Sequence, residues 1–334
     1  MIVGLAGESL GDEEAAFLRS SRPAGVIIFT RNAATPDQLR RLISTVREAI
    51  GEDDALVLID QEGGRVQRLA QPHWRTLPAA VSYGVRYHQD ADAANRAAAT
   101  IAALTAVELQ ALGINANCVP CADRPVDGAH DIIGTRAYDD NVEVIAHLAR
   151  VVAEAHVDAG VLPIVKHVPG HGRAQVDSHL ELPIVEAPED ELKRTDFEPF
   201  RLLNDLPAAM TAHVVYTAID PQHPATMSQR VIAGTVRGDI GFRGLLMSDD
   251  LSMKALEGEL GERAAGAIAA GCDIALHCNG DLAEMREVAD RVPVLTGAAL
   301  ERFRSCVTIT HKQPYPLDFA AAEAILADHL AASR

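Results

Sequence analysis

Eight short apolar runs, rich in β-branched residues, recur along the chain at residues 2–6, 26–29, 56–60, 114–119, 162–166, 208–213, 244–248 and 273–277. Several, such as GVIIF, LVLID and GLLMS, are hydrophobic without alternation, the form taken by parallel strands covered on both faces. Helix-like segments separate the runs at 37–49, 91–112, 141–159 and 263–270, and Gly113, Gly160 and Gly271 follow the last three as left-handed stops. Eight strands alternating with helices, with no Pro/Ser/Gly linker and no shift in composition, predict an α/β fold of the (β/α)8 TIM-barrel type, one catalytic domain over residues 1–334. An open doubly wound sheet fits less well, because no GxGxxG turn follows an early strand. The Ala-rich stretch 317–334 reads as a closing helix.

With 48% hydrophobic and 23% charged residues over 334 positions, the composition is that of a globular chain able to bury its own core. Its 47 acidic residues against 30 Lys and Arg give a formal net charge of −17, and no basic run interrupts them. That balance argues against a nucleic-acid or anionic-membrane partner, which needs clustered cations. The opening MIVGLAGESLGDEEAA lacks the basic flank and apolar run of a signal peptide, so a cytoplasmic location is expected. Five scattered cysteines suit free thiols in a reducing compartment. The CxxC formed by Cys118 and Cys121 is read the same way, against a redox pair or half of a zinc site.

In such a barrel, chemistry gathers at the C-terminal ends of the strands. The third run ends in Asp60, the fifth in Lys166 and His167, the sixth in His213, and the seventh in Ser248, Asp249 and Asp250. The loop after the fifth run holds Pro169, Gly170 and Gly172, which disfavour regular structure, together with His167, His171, Asp177 and His179. Asp177 and His179 are one residue apart, so a carboxylate can bond one ring nitrogen and favour the protonated imidazole that a general acid needs. Asp249, directly after a buried strand, is a candidate nucleophile, with Asp250 or Ser252 expected to cap the following helix. Zinc held by His167, His171 and His179 is a rival reading, although no early strand ends in the HxH pair of barrel metallohydrolases. His213 reads equally as a residue near the site or as a packed core histidine, and Glu62 as part of the EGG turn.

The stretch KHVPGHGRAQVDSH, residues 166–179, resembles the KH(F/I)PGHG…D(S/T)H signature of glycoside hydrolase family 3 β-N-acetylglucosaminidases of the peptidoglycan-recycling type. DQEGGRVQRL, IIGTRAY and SDDLSM follow the family's order, and the resemblance spans roughly residues 25–253. It implies that Asp249 is the nucleophile, His179 the acid/base and Asp177 its dyad partner. It implies also that Asp60, Arg68, Arg136, Lys166 and His167 grip the N-acetylglucosamine unit. The substrate implied is a small carbohydrate, a GlcNAc-anhydroMurNAc muropeptide fragment, cleaved with retention by a monomer without metal or other cofactor. Val168 departs from the usual Phe or Ile and is expected to alter a pocket wall. The residues leave open a phosphorylase, with phosphate resolving the intermediate, and a barrel that binds sugar without cleaving it.

Overall fold

The computed structural model describes residues 1–178, 180–312 and 315–333. Eight parallel strands close a barrel: β1 (Ile2–Gly4), β2 (Gly25–Ile28), β3 (Leu56–Ile59), β4 (Ala116–Asn117), β5 (Leu162–Val168), β6 (Ala208–Thr211), β7 (Leu245–Asp250) and β8 (Ile274–His277). The order around the barrel follows the chain, and the seam is parallel pairing of β1 with β8, Ile2 opposite Leu276 and Val3 opposite His277. The (β/α)8 expectation is therefore borne out.

Local chemistry explains the ring of helices. In the helix Pro36–Ile50, Thr35 accepts a hydrogen bond from the Gln38 amide and Pro36 occupies the first turn, while Gly51 at φ 73° ends it. Helices Ala91–Leu112, Val142–Asp158 and Leu260–Ala270 fall where the periodicity placed them. The closing helix, Phe319–Ala332, packs on Ala91–Leu112. None of the described helices is long and apolar enough to cross a membrane.

Side-chain alternation splits each strand between two layers. Ile2, Ile27, Leu56, Leu58, Ile164, Met210, Met247 and Leu276 fill the barrel interior as one cluster. Val165, Ala209, Leu246 and Ala275 point outward to the helices. Extending the inward parity by two residues carries Leu58 to Asp60, Ile164 to Lys166 and Met247 to Asp249. The packed interior thus ends in charged residues at one mouth.

Val168 departs from expectation. It is 1% exposed and belongs to the outer cluster that includes Leu192, Phe197 and Phe200, so it is packed in the core and forms no open pocket wall. Its carbonyl accepts the Ala212 amide, which fixes it to β6.

Candidate active site

The loop after β3 folds back on itself as the hairpin Gln61–Gly63 with Val66–Gln67. Gly63 and Gly64 sit at φ 102° and 55°, a left-handed pair that supplies the turn expected of EGG. The Gln61 side chain accepts the amides of Arg68 and Leu69 at 3.0 Å, and this brings Arg68 Nη2 to 2.9 Å from Asp60 Oδ2. Lys166 Nζ donates to Asp60 Oδ1 at 2.8 Å. Asp60 and Lys166, 106 positions apart, meet because β3 and β5 both point them inward.

Lys166 Nζ also lies 2.6 Å from Glu62 Oε1. Glu62 in turn receives two parallel hydrogen bonds from Arg136, at 2.8 and 2.9 Å, and Arg136 Nη1 donates to the Ile132 carbonyl at 3.2 Å. The reading of Glu62 as a turn residue missed this role: it links two of the expected sugar contacts. Burial alone would raise both carboxyls, but Lys166 and Arg68 hold Asp60 far below its ordinary value, and Arg136 and Lys166 hold Glu62 down at about 2. Burial would likewise lower the Lys166 ammonium, and the two carboxylates reverse that and raise it.

Behind Lys166 stands a residue that sequence reasoning did not single out. Asp123, wholly buried in the loop after β4, has Oδ2 at 2.6 Å from His167 Nδ1 and at 3.2 Å from the His167 amide. Its Oδ1 accepts the His171 amide at 2.6 Å. The signal is one of position, since Asp123 stands four residues past the end of the fourth run, beside the run ends that carry Asp60 and Lys166. Gly170, at φ 145°, and Gly172, where a Cβ would run into the Arg124 carbonyl, let this loop pass close to its neighbours.

Asp249 is half-buried at the end of β7, and the Asp250 amide donates to its Oδ1 at 2.8 Å. Burial would raise its carboxyl, but His167 and His213, the Asp250 amide and Lys166 together draw it below its ordinary value. His213 is both things expected of it, fully buried and at the site. Its Nε2 lies 2.9 Å from the Asp250 carbonyl, to which it can only donate, and its Nδ1 lies 2.7 Å from Thr226 Oγ1. Burial first, against the Asp249 and Asp250 charges, keeps that imidazole below its ordinary value. Asp250 caps no helix, contrary to expectation. It accepts the Ser252 amide and hydroxyl and the Cys278 amide, tying the strand end to β8, and the next helix starts at Leu260.

Of the loop dyad, His179 lies outside the described residues. Asp177 is half-buried, and its carbonyl accepts the amides of Leu180 and Glu181 in the turn that follows. Ser178 Oγ is 3.0 Å from His171 Nε2, which ties the buried His171 to the segment between Asp177 and Leu180.

The metal reading finds a different set of atoms. Among the described residues Cys121, Asp123 and His167 bring possible ligand atoms within 4.8 Å of one another. The Asp123 to His167 spacing of 2.6 Å is a hydrogen bond, since two ligands of a tetrahedral zinc stand roughly 3.3 Å apart. Burial and Asp123 also push the Cys121 thiol well up, so it stays protonated. All five cysteines are free and buried. A large cavity of about 1550 Å³ lies at the opposite end of the barrel, beside Met1, Ala24 and Ala55, away from all of these groups.

Residues 4–304 match the glycosyl hydrolase family 3 N terminal domain. A beta-hexosaminidase of Alkalilimnicola ehrlichii is 41% identical over 283 residues, 84% of this chain and 80% of that protein. One from Bordetella pertussis is 36% identical over 309 residues, 91% of this chain and 86% of that protein. Among solved structures, NagZ from Neisseria gonorrhoeae in complex with N-trifluoroacetyl-D-glucosamine superposes with a TM-score of 0.86 at 32% identity, covering 98% of this chain and 97% of that one. The glycoside hydrolase family 3 beta-N-acetylglucosaminidase from Paenibacillus sp. gives 0.87 at 29% identity, covering 99% and 67%.

Proposed function

The chain belongs to glycosyl hydrolase family 3, and from that premise we propose that it is a retaining exo-β-N-acetylglucosaminidase. Its substrates on this reading are peptidoglycan fragments, GlcNAc-1,6-anhydroMurNAc with or without peptide, met by a monomer in cytoplasmic cell-wall recycling. The beta-hexosaminidase relatives support the sugar. The observation that carries the chemistry is Asp249, an ionised carboxylate at the end of β7 beside a cradle of interlocked charges.

Asp60, Arg68, Arg136, Lys166 and His167 hold the sugar hydroxyls, and accurate placement of the ring lowers the barrier to an oxocarbenium-like transition state. His179, oriented by Asp177, protonates the leaving oxygen as Asp249 attacks the anomeric carbon, forming a covalent glycosyl-enzyme. The same imidazole then takes a proton from water, which releases the sugar with its configuration retained. An imidazole replaces the second carboxyl of the usual pair, which stands about 5 to 5.5 Å from the nucleophile.

The test is nitrophenol release from 4-nitrophenyl β-N-acetylglucosaminide beside the β-glucoside, without and with phosphate. Release from the first alone, indifferent to phosphate and yielding free GlcNAc, is expected. GlcNAc-1-phosphate as product would make the enzyme a phosphorylase, and no release from either glycoside would overturn the reading.

A further inference from the structure

We propose that Asp123 is a positioning residue that sets the proton on His167 and, through the same carboxylate, anchors the start of the loop carrying Asp177 and His179. This deepens the proposed function, since it rests on His167 meeting the sugar. The carboxylate spends its two oxygens on different partners. Oδ2 takes both the backbone amide and the ring Nδ1 of His167, and Oδ1 takes the backbone amide of His171, where the loop leaves the strand.

An ionised carboxylate can only accept, so the 2.6 Å contact requires the proton on Nδ1. Only Nε2 then remains to meet a ligand, as an acceptor when the ring is neutral. Asp123 stays ionised for this work. Burial opposes it, but the His167 charge and hydrogen bond, with the His171 contacts, hold the carboxyl down at about 2. Because Asp123 is 0% exposed, no water is at hand to replace it as the acceptor.

Asp123→Asn separates orientation from bulk. The amide keeps the shape but has one accepting oxygen where the carboxylate serves both sides. Turned to His171, it sets its NH2 group against Nδ1 and moves the ring proton to Nε2; turned to His167, it leaves the His171 amide at the start of the loop without its acceptor. kcat/KM for the aryl N-acetylglucosaminide is expected to fall roughly 10²- to 10³-fold. In a His167→Ala background the same substitution is expected to cost at least about tenfold less than in the wild type, because the ring it orients is gone and only the His171 anchor is left to lose. Equal losses in both backgrounds would overturn the proposal, reducing Asp123 to a structural carboxylate.

A second measurement needs no variant of Asp123. Nitrogen-15 spectra of the histidine-labelled wild type, with His167 assigned by its loss in His167→Ala, are expected to show the proton on Nδ1. A neutral ring carrying its proton on Nε2 would overturn the proposal even if Asp123→Asn fails to fold. Wild-type turnover is measured first. Its absence would sink the glycosidase reading, while the tautomer still decides whether Asp123 orients the ring.

Discussion

Glu62 and Arg136 face each other through two parallel hydrogen bonds of 2.8 and 2.9 Å, with side chains 7% and 9% exposed, and Lys166 closes on the same carboxylate from the other side. Removing the carboxylate would leave the Arg136 guanidinium out of water without a counter-charge and Lys166 with Asp60 alone. Glu62→Ala is expected to cost about 3 to 5 kcal/mol of unfolding free energy in denaturant titrations, and Glu62→Gln clearly less. A loss below 1 kcal/mol for Glu62→Ala would mean that solvent reaches the cluster freely.

Asp249→Ala is expected to lower kcat on the aryl glycoside by at least about 10³-fold with little change in thermal midpoint, since the side chain makes bonds rather than core contacts. Added azide should restore turnover and yield the α-glycosyl azide, the mark of a missing nucleophile on the opposite face. Full turnover by Asp249→Ala would remove Asp249 from the reaction.

Three buried imidazoles set a pH slope on stability. Burial pushes His156, His171 and His329 down to about 4 from their ordinary 6.5. Between those values the unfolded chain binds protons that the folded one refuses, so stability is full above about 6.5 and falls as the pH drops toward 4. Each contributes about 1.4 kcal/mol per pH unit in that window. His156, held between the Val152 carbonyl and Asn117, is the one to remove. Unfolding free energies of His156→Gln between pH 5 and 6.5 should run shallower by about one proton, and an unchanged slope would show that His156 titrates normally.

Val168→Phe restores a residue usual in the resembling signature, yet it would put a larger side chain at a position only 1% exposed within the outer core. Overpacking is expected to cost about 1 to 3 kcal/mol in a chemical-denaturation measurement, with the GlcNAc to glucose preference unchanged. A shifted preference at unaltered stability would return Val168 to the pocket.

The barrel was legible because its strands read as unbroken apolar runs, and strand-end logic reached Asp60, Lys166 and Asp249 directly. Asp123 and Glu62 were not legible as parts of the site. Each takes its meaning from partners 44 to 104 positions away, and a carboxylate in a loop looks the same in sequence whether it faces water or a buried guanidinium. Val168 misled for a related reason. Resemblance locates a position along the chain, whereas the side of β5 on which it packs is settled by neighbours from other segments.

The seam between β1 and β8 pairs Ile2 with Leu276. During synthesis the first strand leaves the ribosome long before its second partner exists, and for most of that time it can be covered only by β2. The ring therefore cannot close until nearly five-sixths of the polypeptide has been made, and until then the edges of β1 and of the newest strand stay open to other chains.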